Sequence, residues 1–108
     1  MSPWLLLAIA IVFEVAGTVA VRESDGFTKP FPIAVIVVGY GVAFYLMALV
    51  TRHLAISTVY AVWSGGGIAL LAAIGFVAFD ERLTPLKLAS LALIGLGIIG
   101  LNLAGAQR

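Results

Sequence analysis

The sequence contains no cysteine, which excludes a disulfide scaffold, a thiolate nucleophile and any cysteine-ligated metal. Its one histidine, His53, stands alone, so no metal-binding cluster and no nucleophile–base pair can form around it. An interfacial residue near a helix start is the ordinary reading of His53. Charge is scarce too: 10% of the 108 residues are Asp, Glu, Lys or Arg, against about a quarter in an ordinary soluble domain. A net charge of +1 offers no basic field for nucleic acid and no acidic tail. The four prolines, Pro3, Pro30, Pro32 and Pro85, lie at the starts of uncharged runs or in connections, where a missing N–H costs least. What remains is apolar. At 63% hydrophobic residues and a mean hydropathy of +1.20, the chain is no soluble globular domain.

Four long runs carry that hydrophobicity, at residues 3–21, 30–51, 54–79 and 88–107. A helix rises about 1.5 Å per residue, so each run can cross a hydrocarbon core of about 30 Å, the third with tilt. Barrel strands would alternate polar and apolar residues over about ten positions, and these runs do not. A secretory leader is rejected for the first run, which has no Lys or Arg before it, holds an acid and precedes three more runs. The expected architecture is all-α: an integral membrane four-helix bundle forming one domain over residues 1–108. The connections Arg22–Lys29, Arg52-His53 and Asp80–Lys87 are too short for anything else. Arg22, Lys29, Arg82 and Lys87 lie on one side, Arg52 and Arg108 on the other. That weak bias fits either a chain indifferent to orientation or a modest preference for both termini outside.

Glu14 is the one charged residue inside a run. An ionised carboxylate buried without a cation costs several kcal/mol, roughly. It must therefore hold a proton, reach water, or take its counter-ion from a ligand. A carboxyl that alternates between proton and cation is the essence of a proton-coupled cation exchanger; a protonated Glu used for packing is the bland alternative. Ala10, Gly17 and Thr18 share the helical face of Glu14, with Leu7 and Ile11 one or two turns earlier, and small residues there leave room for a ligand. Thr18 can donate to the carboxylate or return its hydroxyl to its own backbone. In the third run Tyr60, Trp63, Ser64 and Gly67 form one stripe, and aromatic faces near an acid suit a hydrophobic cation. Tyr60 fits an interfacial belt equally well, whereas Trp63 lies deeper. Tyr40, midway along the second run, needs a partner for its hydroxyl and can reach a carboxyl across the bundle.

Of 12 glycines, only Gly26 sits in a connection. Gly65-Gly66-Gly67 serves either as a hinge, centred on Gly65 and Gly67, or as a site of close static packing. In the fourth run Ser90, Gly97 and Ala104 recur with Ile94 and Leu101 between them, a small-residue seam for helix association within or between chains. Four helices can hardly enclose a cation path, and no internal repeat supplies a second half, so a second copy is expected. Two copies bring two Glu14 carboxyls towards one site, where they would titrate as a unit.

These features resemble the small multidrug resistance family, of the drug/metabolite transporter superfamily, along essentially the whole chain. The carrying segments are Phe13-Glu14-Val15-Ala16-Gly17-Thr18, Ser24-Asp25-Gly26-Phe27-Thr28-Lys29, Tyr60-Ala61-Val62-Trp63-Ser64-Gly65 and Leu101-Asn102-Leu103. The resemblance implies a homodimer, usually antiparallel, in the inner membrane of a prokaryote, exporting toxic cations in exchange for protons without a cofactor. It implies that Glu14 binds proton and substrate in competition and that Tyr40, Tyr60 and Trp63 line the pocket. It further implies that Gly65 and Gly67 mark a bend and that the fourth helices, with Ser90, Ile94, Gly97 and Leu101, join the subunits. Ala10, Gly17 and Ser64 match the quaternary-ammonium multidrug branch rather than the guanidinium exporters. There are two departures: Ser90 stands in place of Gly, and Ala55-Ile56-Ser57 in place of a Pro-Thr-Gly-like turn leaves open a paired, heterodimeric or polyamine-exporting member. A membrane assembly subunit that transports nothing is the alternative of a different class.

Overall fold

The computed structural model describes residues 2–105. Four helices follow one another: α1 Pro3–Glu23, α2 Pro30–Val50, α3 Ile56–Ala78 and α4 Pro85–Gly105. Among the described residues there is no strand, and all four helices are long and apolar enough to cross a membrane. The chain forms two compact units, Met1–His53 with α1 and α2, and Leu54–Arg108 with α3 and α4.

Local chemistry explains the helix starts. The Ser2 hydroxyl accepts the Leu5 N–H at 3.2 Å, and Pro3 follows at the first helical position, where its fixed φ helps and its missing N–H was unpaired in any case. Pro30 likewise stands at the start of α2, there without a side-chain cap from Lys29. Charge marks the ends less well. Helix α4 begins at Pro85, before Lys87 rather than after it, because Thr84 caps it: the Lys87 N–H donates to Thr84 Oγ1 at 3.1 Å. A lysine can sit in a first turn and extend its ammonium to water, so the run between charges starts too late. Likewise α1 continues through Arg22 to Glu23, while α3 is shorter than the run, Leu54 and Ala55 preceding it. The expected end of the fourth span at residue 107, and Arg108 with it, lie outside the described residues.

In the first unit α1 and α2 meet over most of their length, and the connection between them is built on Ser24. This side chain is fully buried; its hydroxyl donates to the Val21 carbonyl at 2.7 Å and accepts the Phe27 N–H at 3.0 Å. The Ser24 carbonyl accepts the N–H groups of Thr28 and Lys29. The turn runs through Asp25, Gly26 and Phe27, all at positive φ. Ser24→Ala removes a buried hydroxyl that makes two hydrogen bonds and should cost about 1–3 kcal/mol, read as earlier thermal unfolding in detergent.

The second unit is more loosely joined. Ile94 and Ile98 of α4 lie against Gly65 of α3, filling the space that a Cβ would take. At the other end of α3, Glu81 folds over Gly75, its N–H donating to the Gly75 carbonyl at 2.9 Å. No residue of α4 is buried.

Candidate functional site

Within the first unit the structure assembles a three-group chain around Glu14. Thr18, one helical turn beyond Glu14 on α1, donates its hydroxyl to Glu14 Oε1 at 3.0 Å. The same Thr18 Oγ1 lies 2.8 Å from the Tyr40 hydroxyl of α2. Thr18 therefore makes the carboxylate bond and not a return bond to its own backbone. Tyr40 reaches the carboxyl through Thr18 rather than directly, which corrects the expected contact across the bundle. Glu14, Thr18 and Tyr40 are each half-buried.

Backbone proximity makes this geometry possible. A Cβ on Gly17 would lie 3.2 Å from two carbons of the Tyr40 ring, so the bare Cα of Gly17 is the surface on which the ring rests. A Cβ on Gly39 would stand 2.8 Å from the Phe13 carbonyl oxygen and 3.3 Å from the Gly17 Cα. Gly17 and Gly39 thus face each other where α1 and α2 come closest, a small-residue contact that lets two membrane helices approach. Sequence reading identified Gly17 but missed Gly39. The signal was present in Gly39-Tyr40-Gly41, two small residues flanking the aromatic one, but nothing in the pattern says which of the two faces α1. A Cβ on Gly41 would meet no atom within 4 Å.

The other expected site residues fall as follows. On α1, Leu7, Ala10 and Ile11 are buried, Ala10 completely. On α3, Trp63, Gly65 and Gly67 are buried and Ser64 is half-buried, but Tyr60 is 64% exposed. The stripe of Tyr60, Trp63, Ser64 and Gly67 is therefore shielded unevenly, its first residue open to the surroundings. Helix α3 runs without a break through Gly65-Gly66-Gly67, and Gly65 is the seat of Ile94 and Ile98. Ile94 thus meets its own chain, one of the two associations left open for the fourth-run seam. Ser90 and Gly97 are exposed and Leu101 half-buried, and a Cβ on Gly97 or Gly100 would meet nothing within 4 Å. Among the described residues no group of three His, Cys, Asp or Glu side chains can hold a metal ion.

Four helices long and apolar enough to cross a membrane, with a half-buried carboxyl bonded to Thr18 in the first hairpin, mark a multi-pass membrane protein. The family profile described as Small Multidrug Resistance protein matches residues 2–94. The chain belongs to the small multidrug resistance family. It is 46% identical over 83 residues to the quaternary ammonium compound-resistance protein QacE of Escherichia coli, covering 77% of this chain and 76% of that protein. It is 42% identical over 83 residues to the quaternary ammonium compound-resistance protein QacF of Klebsiella aerogenes, covering 77% and 76%. The multidrug resistance protein EbrA of Bacillus licheniformis is 38% identical over 101 residues, covering 94% of this chain and 96% of its own length. The relatives are named as resistance proteins and not as enzymes, and their bacterial sources with the four spans make this a multi-pass bacterial inner-membrane protein.

Proposed function

We propose that this protein is a proton-coupled antiporter that exports lipophilic and quaternary-ammonium cations, Glu14 binding proton and substrate in turn. The observation that carries this reading is the Glu14 carboxyl itself: the only charged side chain inside a membrane run, held by Thr18 at Oε1. Among the described residues Glu14 forms no ion pair, so no side-chain cation competes with a cationic ligand for its carboxyl. Proton and cation compete for one group, and each can drive the other across. The names of the quaternary-ammonium resistance relatives support the substrate class. Aromatic faces of Tyr40, Tyr60 and Trp63 would add cation–π attraction, Leu7, Ala10, Ile11, Gly17 and Ser64 would shape the pocket, and Gly65 and Gly67 would allow α3 to bend.

The proposed active unit is an antiparallel homodimer in the lipid bilayer. Its support is α4, which buries no residue in one copy and leaves Gly97 and Gly100 uncovered. A second helix could lie close against such a strip, across Ser90, Gly97 and Leu101, with Ile94 at its edge. The exposed Tyr60 would then be covered by the partner.

Purified protein in liposomes with an imposed pH gradient tests the reading. The expected result is uptake of a bulky aromatic or quaternary-ammonium cation against its gradient by this chain alone. Movement of guanidinium only would assign the guanidinium branch, activity only with a second chain would assign a paired member, and no movement of any cation would mean a non-transporting assembly subunit. Affinity for the cation should rise with pH, because at low pH the proton occupies the carboxyl and at high pH it does not.

A further inference from the structure

The Tyr40–Thr18–Glu14 chain has a property that position alone does not give. Thr18 carries one hydroxyl hydrogen. With Glu14 ionised, its carboxylate is an acceptor only, so Thr18 must spend that hydrogen on Oε1 at 3.0 Å. The 2.8 Å contact between Thr18 Oγ1 and the Tyr40 hydroxyl then has one permitted sense, with Tyr40 donating. A proton on Glu14 removes the charge that held the Thr18 hydrogen, and the acid's own O–H can donate to Thr18 Oγ1 instead. Thr18 then turns its hydrogen to Tyr40, which becomes the acceptor, its own phenol hydrogen no longer held by Thr18. No proton passes along the chain; each oxygen keeps its hydrogen and the hydroxyls rotate.

We infer that Thr18 and Tyr40 form a hydrogen-bond relay that transmits the ionisation state of Glu14 from α1 to α2. Thr18 is the positioning residue, and Tyr40 is the group whose donor direction reports the state. The inference rests on the proposed role of Glu14 as the proton and cation site. The relay also divides the carboxyl: Oε1 is engaged by Thr18, while Oε2 makes no hydrogen bond among the described residues and is the oxygen left for the cation. Competing titratable groups are few. Helix α2 carries no Asp, Glu, Lys, Arg or His, and its other tyrosine, Tyr45, is exposed. On α1 the remaining charged groups are Arg22 and Glu23, exposed at its end, and the runs forming α3 and α4 have none beyond Lys87 in the first turn of α4.

The test is a pH titration of the full chain in lipid bicelles, with 13C at the tyrosine Cζ and the glutamate Cδ, Tyr40→Phe and Glu14→Gln assigning the two signals. The Tyr40 Cζ shift should follow pH with the same midpoint as Glu14 Cδ. In Thr18→Val, which keeps the shape and removes the hydroxyl, Glu14 should still titrate while Tyr40 stays flat; Thr18→Ser should restore the coupling. The binding readout is the ratio of affinities for tetraphenylphosphonium at alkaline and at acid pH. Loss of a donor to the ionised carboxyl favours the proton, so this ratio should grow about tenfold in Thr18→Val and fall back in Thr18→Ser. A flat Tyr40 signal in the unmodified protein, coupling that persists in Thr18→Val, or an equal loss of affinity at both pH values would overturn the relay. The two readings fail separately: cation exchange with a flat Tyr40 removes the relay alone, and a coupled Tyr40 in a protein that moves no cation removes the transport reading alone.

Discussion

Glu14→Gln protein in sealed vesicles is expected to exchange no cation for protons, and its affinity for a quaternary-ammonium cation should fall by a factor of roughly 10² to 4 × 10³. The estimate follows from the roughly 3–5 kcal/mol lost when one member of a desolvated ion pair is removed. Gln is nearly isosteric, and its amide oxygen can still accept the Thr18 hydroxyl, so the hairpin should fold as before. What it lacks is the charge and the titration. Residual binding should therefore lose its dependence on pH, because no group remains that exchanges a proton for the ligand. Glu14→Asp keeps both properties on a shorter side chain, moves the carboxyl away from Thr18, and should retain exchange at reduced affinity. Isothermal titration at several pH values, together with vesicle uptake, checks all of this. Proton-driven uptake by Glu14→Gln at the unmodified rate would sink the assignment of Glu14.

The second large effect is expected at Gly39. An alanine there would place its Cβ 2.8 Å from the Phe13 carbonyl oxygen and 3.3 Å from the Gly17 backbone, and neither neighbour can rotate away. The helices must separate, at a cost of about 1–3 kcal/mol for overpacking, and the Tyr40 hydroxyl is carried out of reach of Thr18. Gly41→Ala, two positions along the same helix, meets no atom within 4 Å and should gain up to about 1 kcal/mol from helix propensity. Gly65→Ala falls between them, because the nearest atom in its way is the Cδ1 end of Ile98, which can change rotamer, while the Ile94 Cγ2 methyl moves only with χ1. Thermal unfolding of the three variants in one detergent should order them Gly39, Gly65, Gly41 from least to most stable. Equal stability of the Gly39 and Gly41 variants would mean that the α1–α2 contact is not as close as the structure places it.

The residues legible in advance were those whose cost is set by the solvent. Glu14 stands out because a carboxylate in hydrocarbon is expensive whatever surrounds it, and the four helices because a chain this apolar and uncharged must satisfy its backbone internally. Their ends were less legible: a cap such as Thr84 before Pro85 outweighs a nearby charge such as Lys87. Ser24 gave little warning, since a serine in a polar connection looks solvated until the turn closes over it.

Four membrane-crossing helices and the single acid at issue follow from hydropathy and charge, which act residue by residue, and the family follows from short motifs such as residues 13–18 and 60–65. The packing of α2 on α1 shows that Thr18 serves Glu14, that Tyr40 reaches the acid through Thr18, and that Gly39 rather than Gly41 lies against the α1 backbone. Those outcomes depend on the rotation of α2 against α1. That rotation is settled by which backbone atoms can touch, a matter of fractions of an ångström between residues 22 positions apart.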